Sequence, residues 1–154
     1  MANMTKFEVK QFSELTTKEL FEIYKLRVAV FVVEQKCYYQ EVDDDDLTAY
    51  HLMFTDSTHH LTAYARIIPE DNSTVARIGR VVVNPDDRHG GKGRQLVQTA
   101  LDQIPQLMPD TTKIVLAGQE YLNSFYQSFG FKNVSDVYLE DGIPHIDMEM
   151  AVKD

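Results

Sequence analysis

Between Val81 and Arg94 the chain runs from three valines through Asn84-Pro85 into Arg88-His89-Gly90-Gly91-Lys92-Gly93-Arg94. A glycine-rich turn between a buried strand and a helix leaves several backbone N–H groups at the helix's positive end. That geometry receives phosphate oxygens. Arg88, Lys92 and Arg94 add positive charge at this point of an otherwise acidic chain, so an anion is the expected ligand. Two phosphate patterns fail. A P-loop needs Ser or Thr after its lysine to hold magnesium, and Gly93 follows Lys92. A dinucleotide fingerprint needs a third glycine, and Leu96 stands in its place. A nucleotide module for ATP or NAD is therefore disfavoured, and a glycine turn that merely joins strand to helix remains the plain alternative.

Other side chains could carry chemistry. Tyr126 lies on a helical stripe with Leu122, Phe125 and Phe129, which taken alone reads as core. Histidine titrates near pH 6.5, so His145 suits amine deprotonation, yet its place beside Pro144 at a strand start suits a structural role equally. Arg27 sits on an apolar stripe and must find a carboxylate or carbonyl partner. Glu34 is seven residues further, beyond an ordinary i,i+4 pair, so each has another partner and both are candidates for a binding pocket. The lone cysteine, Cys37, reads as a small buried hydrophobe, and no Cys/His grouping suggests a metal.

These residues sit in 154 residues with 15 Lys+Arg against 24 Asp+Glu, a formal charge of −9. Length and composition indicate a single domain over 1–154. The acidic balance argues against nucleic acid, which is bound through clustered Lys and Arg. The longest apolar run, Val28 to Val33, is far short of a membrane span, and the first ten residues hold no signal-like apolar stretch. A reduced, cytoplasmic protein, monomer or homodimer, is expected.

Periodicity supplies the scaffold. Thr5 to Gln11 reads as a strand, and Thr16-Thr17-Lys18-Glu19 as a capping box opening a helix to Val33. Strands are expected at Tyr50 to Thr55, Leu61 to Ile68 and Val75 to Val83. Val81 to Val83, apolar on both faces, are expected to be fully covered. A second helix follows the glycine loop, with Pro105 and Pro109 at its end. Ile114 to Ala117 is a strand, and Gly130 closes a short helix. Val134 to Leu139 and Ile143 to Val152 form a hairpin about Asp141-Gly142. Antiparallel strands followed by strand–helix pairs indicate an α/β (α+β) domain.

Three segments together resemble the GNAT N-acetyltransferase superfamily. Arg88-x-x-Gly91-x-Gly93 after a valine-rich strand matches its Arg/Gln-x-x-Gly-x-Gly/Ala motif, and Asn123 to Phe131 looks like its late N…FY…GF segment. Leu26-Arg27-Val28-Ala29-Val30-Phe31-Val32-Val33-Glu34-Gln35 resembles the ElaA-like branch. In that branch a glycine often stands at His89 and an aliphatic residue at Lys92.

The resemblance implies a mixed, mostly antiparallel central sheet flanked by helices. It also implies acetyl transfer from acetyl-CoA to an amine by direct attack in a ternary complex, with Cys37 not a nucleophile. Backbone groups of Val81, Val82 and Val83 would pair with the pantetheine arm, an amide near Val82 or Val83 facing the thioester oxygen. Amides of His89, Gly90, Gly91, Lys92, Gly93 and Arg94 would hold the pyrophosphate. Asn123 would touch the cofactor, and Tyr126 would be the general acid. Arg27, Glu34, His51 and His145 are acceptor-pocket candidates. Glu34, His51, His145 and Glu120 are open candidates for the base, as is a carboxylate acting through water. The run Asp43 to Asp46 favours a cationic small-molecule or peptide amine, unless it is only a solvated loop. An idle acyl-CoA-binding sensor or interaction domain is the other reading.

Overall fold

The computed structural model of the chain describes residues 6–152. One eight-stranded sheet organises them, in the order β1-β2-β3-β4-β5-β8-β6, with β7 also pairing β8. The strands are β1 (Lys6–Gln11), β2 (Tyr50–Thr55), β3 (Leu61–Glu70), β4 (Val75–Val83), β5 (Lys113–Gln119), β6 (Lys132–Asn133), β7 (Tyr138–Glu140) and β8 (Ile143–Ala151). Thr5, expected in the first strand, lies outside the described residues. Every pairing is antiparallel except β4 with β5. A parallel pair needs a crossover, which α2 (Lys92–Leu107) supplies.

α1 (Thr17–Val28) begins with the expected capping box. Glu19 N–H donates to the Thr16 hydroxyl, 3.0 Å, and Thr16 N–H donates to the Glu19 carboxylate, 2.9 Å. Ile23, Leu26 and Val30 face one side of the sheet against Met53, Tyr64 and Val82. On the other side Leu96, Val97, Ala100 and Ile104 of α2 cover Leu52, Ala65, Ile78, Ile114 and Leu116.

Four details depart from the sequence expectations. The first helix does reach Glu34, but Ala29–Glu34 winds as a π-helix, a wider turn that is rare and concentrated at functional sites. α2 runs through Pro105 to Leu107, because a proline near the end removes a single bond and the Met108 N–H still reaches Ile104 O, 2.8 Å. Val134 to Leu139 is not one strand. Ser135 Oγ takes the Asp147 N–H, replacing a ladder bond by a side-chain bond, so only Tyr138–Glu140 pairs before the turn. The turn itself is as expected, with Asp141 and Gly142 both at positive φ, the demand of a type I′ hairpin.

The fourth departure creates the site. β4 and β5 pair only from Val75 to Arg77, against Lys113 to Val115. Beyond that point the strands diverge. The β3–β4 register shifts between Tyr64 and Arg66, giving β4 one extra residue, and Arg80 there has φ +51°. Val82 is buried, but Val81 and Val83 are half-buried and line the opening instead of being fully covered.

Candidate functional site

The divergence opens a cavity of about 800 Å³. Val81, Val82 and Val83 form one wall, Leu116, Ala117 and Gln119 of β5 another. Tyr126 and Phe125 of α3 (Asn123–Gln127) line the cavity as well. Val82 and Val83 are paired to β3 on one side only, so their other edge faces the opening. An edge of this kind accepts an added extended chain through backbone hydrogen bonds.

Gly93, the second residue of α2, lies on the wall of this opening. Gly91 caps the helix at φ +76°, the left-handed region that glycine enters without cost. It brings no capping side chain, so the N–H groups of Gly93 and Arg94 keep the outward aim of a helix's first turn. A Cβ at Gly90 or Gly91 would meet nothing within 4 Å, which leaves room for a ligand beside the backbone. His89 has φ +73°, which accounts for the glycine often found at that position in the branch the sequence resembles.

Arg88 and Arg94 are engaged by the protein. Arg88 makes a bidentate pair with Glu34, both bonds 2.8 Å. Arg94 packs over the Phe129 ring, 4.7 Å from its centre, and donates to Ser128. Asn123 bonds Asn133 at 2.8 Å and is absent from the cavity wall.

Tyr126 is 5% exposed, its ring edge-on to Phe125 and Phe131. Burial pushes its phenol up to about 12, so the proton is held throughout the neutral range. Gly118 of β5 lies against this ring. A Cβ there would stand 3.1 Å from a Tyr126 ring carbon. Composition gave no hint of that contact; the period-2 alternation of β5, which puts Gly118 on the Leu116 face, could have found it.

On the side of the π-helix, Glu34, Gln35, Cys37, Glu140, Asp141 and His145 line the cavity. Cys37 is buried, its thiol donating to the Asp141 carbonyl. His145 is 9% exposed and stacks on Tyr138. Its Nδ1 is 2.7 Å from the Ile143 carbonyl, and its Nε2 is 3.7 Å from a Glu140 oxygen. The Arg88 hydrogen bonds hold the Glu34 carboxyl below the usual carboxylate range.

Arg27 and His51, both acceptor-pocket candidates, lie elsewhere. Each is 0% exposed and neither lines the cavity. Arg27 donates to both oxygens of Asp46, 2.7 and 3.0 Å, and to both of Glu41, 3.1 and 3.0 Å. His51 Nε2 lies 2.9 Å from the Asp46 carbonyl, so this nitrogen carries the proton, and Nδ1 accepts from Tyr64 at 2.7 Å. Burial pushes its imidazole down, which keeps the ring neutral. Glu120 is exposed and also absent from the cavity wall.

The acidic run is neither a free solvated loop nor a free cation trap. Arg66 bonds Asp43, 2.7 Å, and Asp46, 3.0 Å. Arg80 reaches the Glu41 carbonyl, 2.8 Å, and the Asp43 carboxylate, 3.4 Å, which ties the strained bulge to the run. Asp45 alone of the run's unburied members approaches the cavity without a close hydrogen bond, at 4.0 Å from Arg66.

A family model described as an acetyltransferase (GNAT) domain matches residues 13–152. A UPF0039 protein of Schizosaccharomyces pombe is 52% identical over 152 residues, covering 99% of this chain and all of the relative. The crystal structure of Escherichia coli ElaA superposes with a TM-score of 0.87 at 42% identity, over 95% of this chain and 99% of that one. An acyl-CoA N-acyltransferase from Pseudomonas aeruginosa gives 0.88 at 42% identity, with the same coverage.

Proposed function

Because the chain belongs to the acetyltransferase (GNAT) family, we propose that it moves an acetyl group from acetyl-CoA to a primary amine by direct attack in a ternary complex. The observation that carries this reading is the splayed β4–β5 edge beside the start of α2. A slot of mixed polarity, edged by the unpaired backbone of Val82 and Val83, leads there to a helix's positive end. The residues present suit the donor. The open edge of Val81 to Val83 offers backbone groups to an amide-bearing arm, and the Gly93 and Arg94 N–H groups suit a pyrophosphate. Bound there, acetyl-CoA supplies an acyl group activated as a thioester.

The chain's own part is positioning and proton management. Tyr126, on the cavity wall and kept protonated by burial, gives its proton to the leaving sulfur. The Cys37 thiol is tied to a carbonyl and serves no covalent step. The acceptor enters on the side of the π-helix. Glu140 and Asp141 line the cavity there, Asp45 lines it as well, and these carboxylates favour an ammonium-bearing molecule.

The test is thiol release from acetyl-CoA against a panel of amines, with calorimetry of acetyl-CoA binding alongside. Amine-dependent release supports the transferase. Binding without release under any amine points to the idle acyl-CoA sensor, and absence of binding overturns both.

A further inference from the structure

We infer that His145, through Nε2, is the general base that takes a proton from the acceptor ammonium. This rests on the acyl-transfer reading of the cavity and adds a named group to it. A carbonyl oxygen can only accept, so the 2.7 Å contact with Ile143 O puts the ring proton on Nδ1. In the neutral ring Nε2 then holds a lone pair, and His145 lies on the cavity wall. Within 4 Å its one ionic neighbour among the described residues is Glu140, 3.7 Å from Nε2, too far to consume the lone pair in a hydrogen bond.

The competing groups lack this combination. His51 has its proton on Nε2, its lone pair filled by Tyr64, and no access to the cavity. Glu34 is locked as the partner of Arg88. Glu120 does not reach the wall.

The groups facing His145 come from every neighbouring element. Tyr138 of β7 stacks on it, with its hydroxyl bonded to Asp147. Glu140 ends β7 and Asp141 begins the turn, Gln119 is the strand partner of His145 on β5, and Cys37, after the π-helix, lines the same cavity. The proton balance closes. As the nitrogen–carbonyl bond forms and the carbon–sulfur bond breaks, two protons leave the amine nitrogen. One passes to His145 Nε2 and then to solvent. The other offsets the proton that Tyr126 gives to sulfur, the phenol recovering it through solvent.

Two measurements test this. Long-range proton–nitrogen NMR of the labelled protein, with His145→Gln used to identify the signal, should show Nδ1 protonated and Nε2 bare in the neutral ring. A neutral ring protonated on Nε2 overturns the proposal without any turnover assay. In the thiol-release assay, His145→Gln should lower kcat/KM for the best amine by roughly 10²–10⁴-fold near neutral pH. It should also abolish the acid limb of the wild-type pH profile and leave acetyl-CoA affinity unchanged. An unchanged kcat/KM with acetyl-CoA still bound overturns the base alone. Failure of the wild-type protein to bind acetyl-CoA would instead overturn the transferase reading and the base with it.

Discussion

Two histidine–tyrosine regions lie on opposite sides of one distinction. His51 and Tyr64 bond one another inside a cluster of Arg27, Arg66, Glu41 and Asp46, where both imidazole nitrogens are satisfied. His145 and Tyr126 border the open slot between β4 and β5, where one imidazole nitrogen keeps its lone pair. The residue types are the same and burial raises both phenols. What separates structure from chemistry here is whether hydrogen-bonding capacity is spent within the protein or left facing a cavity. The closed cluster serves the open one. Glu41 and Asp43 anchor Arg80 at φ +51°, in the bulge of the part of β4 that has left β5.

Breaking the closed cluster should have the largest effect. Arg27→Met leaves Glu41 and Asp46 buried without their main counter-ion, a loss of about 3–5 kcal/mol. Thermal denaturation should register a fall on the order of 10 °C. Retention of wild-type stability would mean the cluster is not the anchor described.

Changing the open region should spare stability and strike turnover. Tyr126→Phe should lower kcat by roughly 10–10³-fold with acetyl-CoA affinity maintained. An unchanged kcat would return Tyr126 to the core and leave the sulfur to water.

Acid should separate the regions more gently. Burial tends to raise the Asp46 carboxyl, but Arg27 and Arg66 outweigh it, and hydrogen bonds from Arg66 lower Asp43. The folded state thus binds fewer protons than the unfolded chain. The stability these groups contribute is full above the ordinary carboxylate range, near pH 4, and is lost as pH falls through their lower folded-state values. Urea midpoints measured from pH 6 down to pH 3 should fall, and fall less steeply in Asp43→Asn.

The smallest effect sharpens the Tyr126 assignment. A Cβ at Gly118 would crowd the ring at 3.1 and 3.2 Å, so Gly118→Ala should reduce kcat by roughly two- to tenfold through displacement of the phenol. In the Tyr126→Phe background the same change should cost little more, since the group it displaces no longer acts.

Much of this division could be read from the chain. Arg27 on an apolar stripe demanded a carboxylate, and of the segments singled out in the sequence Arg88 and Gly93 of the glycine loop and Phe125 and Tyr126 of the late aromatic segment line the cavity. The partner of Arg27 was hidden because Asp43 to Asp46 looked like a surface run. Arg66 and Arg80, inside apolar strands, carried the missing signal, since inward arginines on strands need buried carboxylates too. The splay of β4 was also hidden. A bulge arises from pairing register and a single left-handed residue, neither of which alternation of apolar side chains records. His51 and His145 were equivalent as letters and became distinct only through the carbonyl each one faces.

Calorimetry with coenzyme A on the wild-type protein and on Gly91→Asp tests the central claim most directly. Aspartate tolerates the left-handed backbone at this position better than most residues, and no atom lies within 4 Å to clash with its Cβ. Its carboxylate would face the helix end assigned to the pyrophosphate. Coenzyme A should bind the wild-type protein and lose roughly tenfold or more in affinity to the variant, whose melting temperature without ligand moves little. Equal affinity for both proteins, or none for the wild type, would contradict the placement of the donor between β4, β5 and α2.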